Sequence, residues 1–251
     1  MPIWLNKLFT RQQDIMSEQK YDQAFYDSQM SGSYQSALVY LKHLFQYWHP
    51  ESVIDMGCGR GMWLAACRHY NVPYCVGLDG HWNSQDKMVD QSILFRQADL
   101  NEVYQGNESF DLAMSLEVAE HVQPESSGNF VASLTGLSDV VMFGAAYSWQ
   151  PGTDHINTRP HSFWFRQFID QGYVMFDLFR PFFWSDNKVE PWYRQNTFLY
   201  VKRSHKLVKI LESHKFEAVT NPQFVDCIHP WLYEWAMNMV FQLQSQQRSV
   251  T

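Results

Sequence analysis

Apolar positions along the chain fall into two rhythms. Residues 52–56, 74–80, 95–100, 140–146, 173–178 and 197–201, and the start of 110–122, are short and nearly continuously apolar, the pattern of strands buried on both faces. Residues 62–70, 131–137 and 165–171 repeat apolar residues at helical spacing and fall between those runs. Upstream, 20–47 is helical in period, with Tyr21, Phe25 and Tyr26, then Ala37, Leu38, Leu41, Leu44 and Phe45, interrupted at Ser31-Gly32-Ser33. Two helices are therefore predicted before the first strand, the second ended by Pro50. The alternation predicts an α/β domain with a seven-stranded, mostly parallel sheet and helices on both faces.

Three regions follow: an N-terminal arm (1–19), the sheet domain (20–203) with an insertion around 147–196, and a helical extension (204–251). In the extension, 231–244 reads as helix, and Trp231, Leu232, Trp235 and Met239 suit a subunit interface, so a homo-oligomer is compatible with the sequence.

The densest chemistry lies at the end of the first strand, in Asp55-Met56-Gly57-Cys58-Gly59-Arg60-Gly61. Glycines at a strand-to-helix turn permit positive φ and let the backbone approach a ligand, beside the open N–H groups of the helix start. A dinucleotide turn of the G-x-G-x-x-G type places a ribose-binding acid about 20 residues later. The D-x-G-x-G-x-G pattern here adds a carboxylate before the glycines, and Asp55 suits the ammonium of S-adenosylmethionine (SAM). A ligand-free turn also uses glycine, so the motif alone leaves these readings open. Asp79, at the tip of the second predicted strand, is placed to accept from both ribose hydroxyls, a turn acid being the plainer role. Tyr26 and Tyr34 flank the polar break and are candidates to close over a cofactor or to pack on the core.

Charge narrows the partners. The formal net charge is −7 with no Lys/Arg-rich run, which disfavours nucleic acid and anionic membranes. Cys58, Cys67, Cys75 and Cys227 form no C-x-x-C pair or zinc spacing, so reduced thiols in a cytoplasmic protein are expected. The start of the chain lacks the apolar core and cleavage site of a signal peptide, and no run of about 18 apolar residues follows, so no transmembrane helix is expected. Aromatic residues make up 16% of the chain, and many lie between Tyr147 and Trp235. That richness serves a core or interface, and equally a pocket that stacks on sugar rings.

Four stretches in order resemble the motifs of class I SAM-dependent methyltransferases: the Asp-Gly turn, the strand ending in Asp79, Ala98-Asp99-Leu100, and Phe110-Asp111-Leu112 leading to Ser115-Leu116-Glu117-Val118-Ala119-Glu120-His121. The second half carries His155-Ile156-Asn157, Pro160, Phe163-Trp164, Arg180, Trp184 and Trp192-Tyr193-Arg194-Gln195-Asn196. It is similar to small methyltransferases found with bacterial glycan and lipopolysaccharide genes, and the resemblance covers about 20–202. One departure stands out: Ser148-Trp149-Gln150-Pro151-Gly152 replaces the family's P-G-Q-G-G, which implies a differently shaped acceptor pocket.

The resemblance implies a Rossmann-like sheet, SAM as cofactor and S-adenosylhomocysteine as product. Cofactor contacts are then expected from Asp55, Gly57, Cys58, Gly59, Gly61, Asp79, Gly80, Leu116, Glu117 and His121, with Asp99 and Leu100 at the adenine. The implied activity is O-methylation of a sugar or sugar-like hydroxyl in glycan or lipopolysaccharide biosynthesis. Its acceptor side would draw on Arg159, His161, Trp164, Arg180, Trp184, Trp192, Tyr193 and Asn196. A quinone, polyketide or amine acceptor, and a SAM-binding module without catalysis, are the competing expectations.

Methyl transfer to a hydroxyl needs a proton acceptor, and histidine titrates in the right range. His121, His155 and His161 are candidates; His155 is taken as the base with Asn157 orienting the acceptor. Arg159 and Arg180 offer guanidinium forks for a carboxylate or phosphate on the acceptor. Asp154 and His155 offer metal-ligand chemistry, but no tight His/Asp/Glu spacing accompanies them, so no metal is expected.

Overall fold

The computed structural model describes residues 23–248, and the arm at 1–19 and the Tyr26 side chain lie outside what is described. The strands are β1 (Ser52–Met56), β2 (Tyr74–Asp79), β3 (Leu94–Gln97), β4 (Leu112–Leu116), β5 (Val140–Gly144), β6 (Tyr173–Phe176) and β7 (Thr197–Lys202). They form one sheet in the order β3-β2-β1-β4-β5-β7-β6. Neighbours pair in parallel from β3 through β5, and β7 runs antiparallel between β5 and β6. This is the Rossmann-like, mostly parallel sheet that the apolar runs predict.

Among the described residues eight helices surround it: α1 (Gln23–Leu44), α2 (Met62–His69), α3 (Ser127–Leu137), α4 (His161–Asp170), α5 (Arg180–Phe183), α6 (Pro191–Asn196), α7 (Lys206–Ser213) and α8 (Pro230–Arg248). Successive strand residues alternate between two cores. Val53, Leu112, Val140 and Leu199 face α1, α2 and α7, while Ile54, Ala113, Val141 and Tyr200 face α3 and α4. A strand with both faces covered has no polar side to show, which explains the unbroken apolar runs.

Two expectations change. The predicted break at Ser31-Gly32-Ser33 is absent, and α1 runs straight through it. Gly32 costs about 1 kcal/mol relative to Ala in a helix interior, and burial of Ala37, Tyr40, Leu41 and Leu44 offsets that. The polar triplet is a docking seam. The Glu190 side chain presses where a Gly32 Cβ would lie, Ser36 Oγ donates to Gly32 O (2.8 Å) and accepts from Glu190 N (2.9 Å), and Ser33 Oγ meets Tyr193 OH at 3.1 Å. The third strand ends at Gln97 rather than Leu100, because Asp99 Oδ1 takes Asn101 N in a local turn (2.9 Å). The extension folds back onto the domain through Val225 and Leu232, both buried, while Trp231 and Phe241 stay exposed. Among the described residues no helix is long and apolar enough to cross a membrane.

Candidate functional site

The carboxyl ends of β1, β2 and β4 open on a crevice made of two cavities of about 760 and 660 Å³ that share Gly57, Gly59, Asp79, Trp82 and Glu117. Strand order reverses between β1 and β4, the switch point where such sheets leave room for a ligand. The connecting turn needs its glycines: Gly57, Gly59 and Gly61 have φ of +87°, +52° and +83°. At Gly57 a side chain would also run into Val118. Gly57 and Cys58 N–H donate to Leu78 O (2.8 and 3.1 Å), pinning the turn to β2.

Asp79 tightens the same clamp. Its Oδ2 accepts from Gly59 N and its Oδ1 from Gly80 N, each at 2.7 Å, so the Gly59 amide serves the turn. Each oxygen keeps a lone pair for a ribose hydroxyl. Asp55 lines the first cavity beside it, only 4% exposed. Burial, and then the Asp79 charge, push the Asp55 carboxyl up to about 8. Two carboxylates around one space repel, and a ligand ammonium between them reverses the penalty; the amino-acid tail of SAM meets that demand. Asp99, Leu100, Gly80 and His121 line the second cavity, and Cys58, Leu116 and Glu117 the first. Gly61 acts one step back, as the N-cap of α2.

Beyond β4, Glu117 has φ +57°, a left-handed backbone that a non-glycine residue keeps only when its surroundings impose it. Its N–H donates to Gly144 O (2.9 Å), its Oε1 accepts from Asn196 Nδ2 (2.8 Å) and its Oε2 from Gln150 Nε2 (3.0 Å). Burial raises its carboxyl to about 7 against those two donors. Trp192, Tyr193 and Ser33 form the adjoining wall.

The 150s loop is fastened to the segment after β4. Glu120 O accepts from Ile156 N (3.0 Å) and Asn157 N (2.9 Å). Asn157 Nδ2 donates to Ala119 O (3.2 Å) and Ser127 Oγ (2.9 Å), and its Oδ1 accepts from Arg159 Nε (2.8 Å). Asn157 is thus a buried clamp, not a group facing the crevice. His155 stands behind His121, ring centroids 4.9 Å apart, and burial lowers its pKa to about 4. The absence of a ligand cluster expected from the sequence is also corrected: the fold brings Glu120, His121 and His155 together, with ligand atoms all within 4.8 Å of one another.

Most of the acceptor candidates between 159 and 184 sit away from the cavities. Arg180 spends its fork on Asp177 (Nε 3.0 Å, Nη2 2.8 Å) and donates to Val225 O (2.9 Å) over the Phe198 ring. Arg159 lies over Phe163. Trp164 is in the core, and Trp184 packs on His229 with centroids 4.6 Å apart. His161 Nδ1 lies 2.9 Å from Val225 O and Nε2 3.0 Å from Asn196 Oδ1, so it braces Asn196 from behind. Tyr34 packs against the core, while its neighbour Ser33 reaches the crevice. Sequence reasoning passes over Trp82, Asn83 and Lys87, which line the first cavity. The Trp82 ring lies over Gly80, Asn83 Nδ2 donates to Gly59 O, and Lys87 Nζ donates to Trp82 O (2.7 Å). A Trp three residues beyond the strand-tip acid Asp79 is the available signal.

The family described as a methyltransferase domain matches residues 26–134. No curated protein matches the chain. Among solved structures, magnesium protoporphyrin IX methyltransferase from Synechocystis, with bound SAH, is similar at 16% identity and TM-score 0.51, over 78% of this chain and 94% of that one. A SAM-bound amino pentose methyltransferase from Micromonospora echinaspora, involved in calicheamicin biosynthesis, is similar at 13% identity and TM-score 0.53, over 74% and 99%. An O-methyltransferase family protein from Burkholderia thailandensis aligns at 14% identity and TM-score 0.55, over 78% and 63%. At these identities the likeness is one of fold.

Proposed function

We propose that this chain, whose residues 26–134 match a methyltransferase-domain family, is a class I SAM-dependent methyltransferase and that it methylates a hydroxyl of a sugar or sugar-like acceptor of the kind met in glycan assembly. SAM supplies an electrophilic methyl group on a sulfonium, and transfer needs an acceptor oxygen held in line with it. Asp55 holds the cofactor's ammonium and Asp79 its ribose, at adjoining strand tips.

The observation that carries the acceptor reading is Glu117. It sits where the two cavities meet, each oxygen fixed by an amide of Asn196 or Gln150 and each with a lone pair left. Such a carboxylate accepts from an acceptor hydroxyl and takes its proton as the methyl arrives, a task for which a pKa near 7 is suited. The base role passes to it from His155, which stands behind His121. Trp192 gives a face for a sugar ring to stack on, and Ser33 a hydroxyl on the same wall. The amino pentose enzyme shows the same fold used on a sugar.

Transfer of labelled methyl from SAM to a panel of hexoses, nucleotide sugars, phenols and amines tests this. Sugars are expected to accept; label passing only to phenols or amines overturns it. Trp192→Ala is expected to raise the acceptor KM about five- to tenfold, the worth of one ring contact. Glu117→Gln is expected to lower kcat about 10²- to 10⁴-fold while SAM affinity stays.

A further inference from the structure

Glu120 is fully buried, and neither of its carboxylate oxygens has a hydrogen-bond partner; the amides of Glu120 and Ala146 approach without closing a bond. A bare buried carboxylate is costly, and each such group in a folded protein asks for what meets it. The two histidines beside it narrow the answer. His121 Nδ1 lies 3.2 Å from Asp154 O and His155 Nδ1 lies 3.1 Å from Gln150 O. Carbonyl oxygens only accept, so each ring places its proton on Nδ1 and leaves a lone pair on Nε2. His155 Nε2 is 3.9 Å from Glu120 Oε1, too far for one shared proton to serve both as a hydrogen bond. Gly152 gives the His155 ring its room, since a Cβ there would collide with Nε2.

Two imidazole lone pairs and an unpartnered buried carboxyl converge, and we propose that Glu120, His121 and His155 bind a divalent first-row transition ion. Atoms sharing one ion at bonds of about 2.0–2.2 Å sit up to about 4 Å apart. The spread of 4.8 Å here closes with small side-chain rotations. Two imidazoles and one carboxylate select zinc, manganese, iron or cobalt over the oxygen-seeking magnesium and calcium. The backbone carbonyls on both Nδ1 atoms are the outer partners that fix the rings of metal-bound histidines. Three protein ligands leave a coordination position open, as in catalytic rather than structural sites.

His121 lines the same cavity as Glu117, which sets the ion at the edge of the crevice. There it would act as a Lewis acid on an acceptor oxygen, lowering the pKa of the hydroxyl whose proton Glu117 takes. That role rests on the acceptor reading above; the binding site itself does not.

The test is a Co²⁺ titration of the chelator-treated full chain, followed by visible absorption, with SAM affinity measured by calorimetry on the same samples. One equivalent of Co²⁺ is expected, displaced by Zn²⁺. Glu120→Gln and His155→Ala are each expected to weaken it about 100-fold or more, beyond the cost of losing an outer partner. No visible band, or Co²⁺ affinity unchanged in both variants, overturns the site. Should the variants fail to fold, substoichiometric Mn²⁺ on the native chain decides: NMR broadening centred on His121 and His155 upholds the site, and broadening centred elsewhere refutes it. SAM binding without Co²⁺ binding removes only this proposal, whereas Co²⁺ binding without SAM binding removes the cofactor reading and leaves the site.

Discussion

Asp55 is placed to be poor for the empty protein and good for the loaded one. Its pKa near 8 arises from burial first and the Asp79 carboxylate second, against an ordinary value of 3.8. For an acid raised on folding, the stabilising contribution is whole below the unfolded pKa and is lost as pH rises through the folded one. The cofactor-free protein therefore loses stability between about pH 4 and 8 on account of this group. Binding a cation asks for the ionised form, so SAM affinity should climb with pH toward 8, by up to about tenfold per unit, and then level off. Asp55→Asn should abolish that slope and weaken SAM binding at pH 8.5 by about 10- to 150-fold, the worth of a charged hydrogen bond. The same variant, without cofactor, should melt above the native protein at pH 9. Calorimetry across pH 6–9 and a melting curve check both; a flat native profile would contradict the assignment.

At the scale of elements, the loop over the strand ends is held by Asn157 rather than by its own length. The motif His155-Ile156-Asn157 drew attention to that residue in the sequence and attached a catalytic role to it. Its partners Ala119 and Ser127 lie 38 and 30 residues away, so the clamp had no local signature. The false break in α1 has the same cause: glycine and two serines read as a helix end, and the Glu190 and Tyr193 that pack against this stretch lie more than 150 residues away. The strands were legible for the opposite reason: burial on both faces leaves a signal in every residue of a short run. Asn157→Ala strips two carbonyl and hydroxyl partners inside the fold and should destabilise by about 1–3 kcal/mol, lowering Tm by roughly 2–4 °C for each. If Asn157 acts as a clamp, kcat measured well below the new Tm falls less than it does in Glu117→Gln. A larger loss of kcat with no change in Tm would restore the catalytic reading.

Across the whole molecule, the residues proposed for the cofactor cluster in sequence at strand tips, where a short motif can show them, whereas those proposed for the acceptor come from segments far apart. Glu117, Gln150 and Asn196 meet only where β5 is flanked by β4 and β7, and the pairing of β4 with β5 carries the loop of His155 to Glu120. His161 ties this assembly to the C-terminal segment, lying between Asn196 and Val225 with only 2% exposure. Burial lowers its pKa to about 4, the Val225 carbonyl opposing and Arg180 reinforcing. The unfolded chain takes up its proton near 6.5, the folded chain only near 4. Stability carried by the neutral ring is therefore complete above about pH 6.5 and drains away as pH falls toward 4. The loss should reach about 2 kcal/mol by pH 5 from this group alone. Urea unfolding of the native protein and of His161→Gln at pH 7.5 and pH 5 measures it: the variant starts less stable, yet its drop between the two pH values should be smaller by about that amount. Parallel drops would show that His161 titrates alike in both states and would move the acid sensitivity of the assembly to another group.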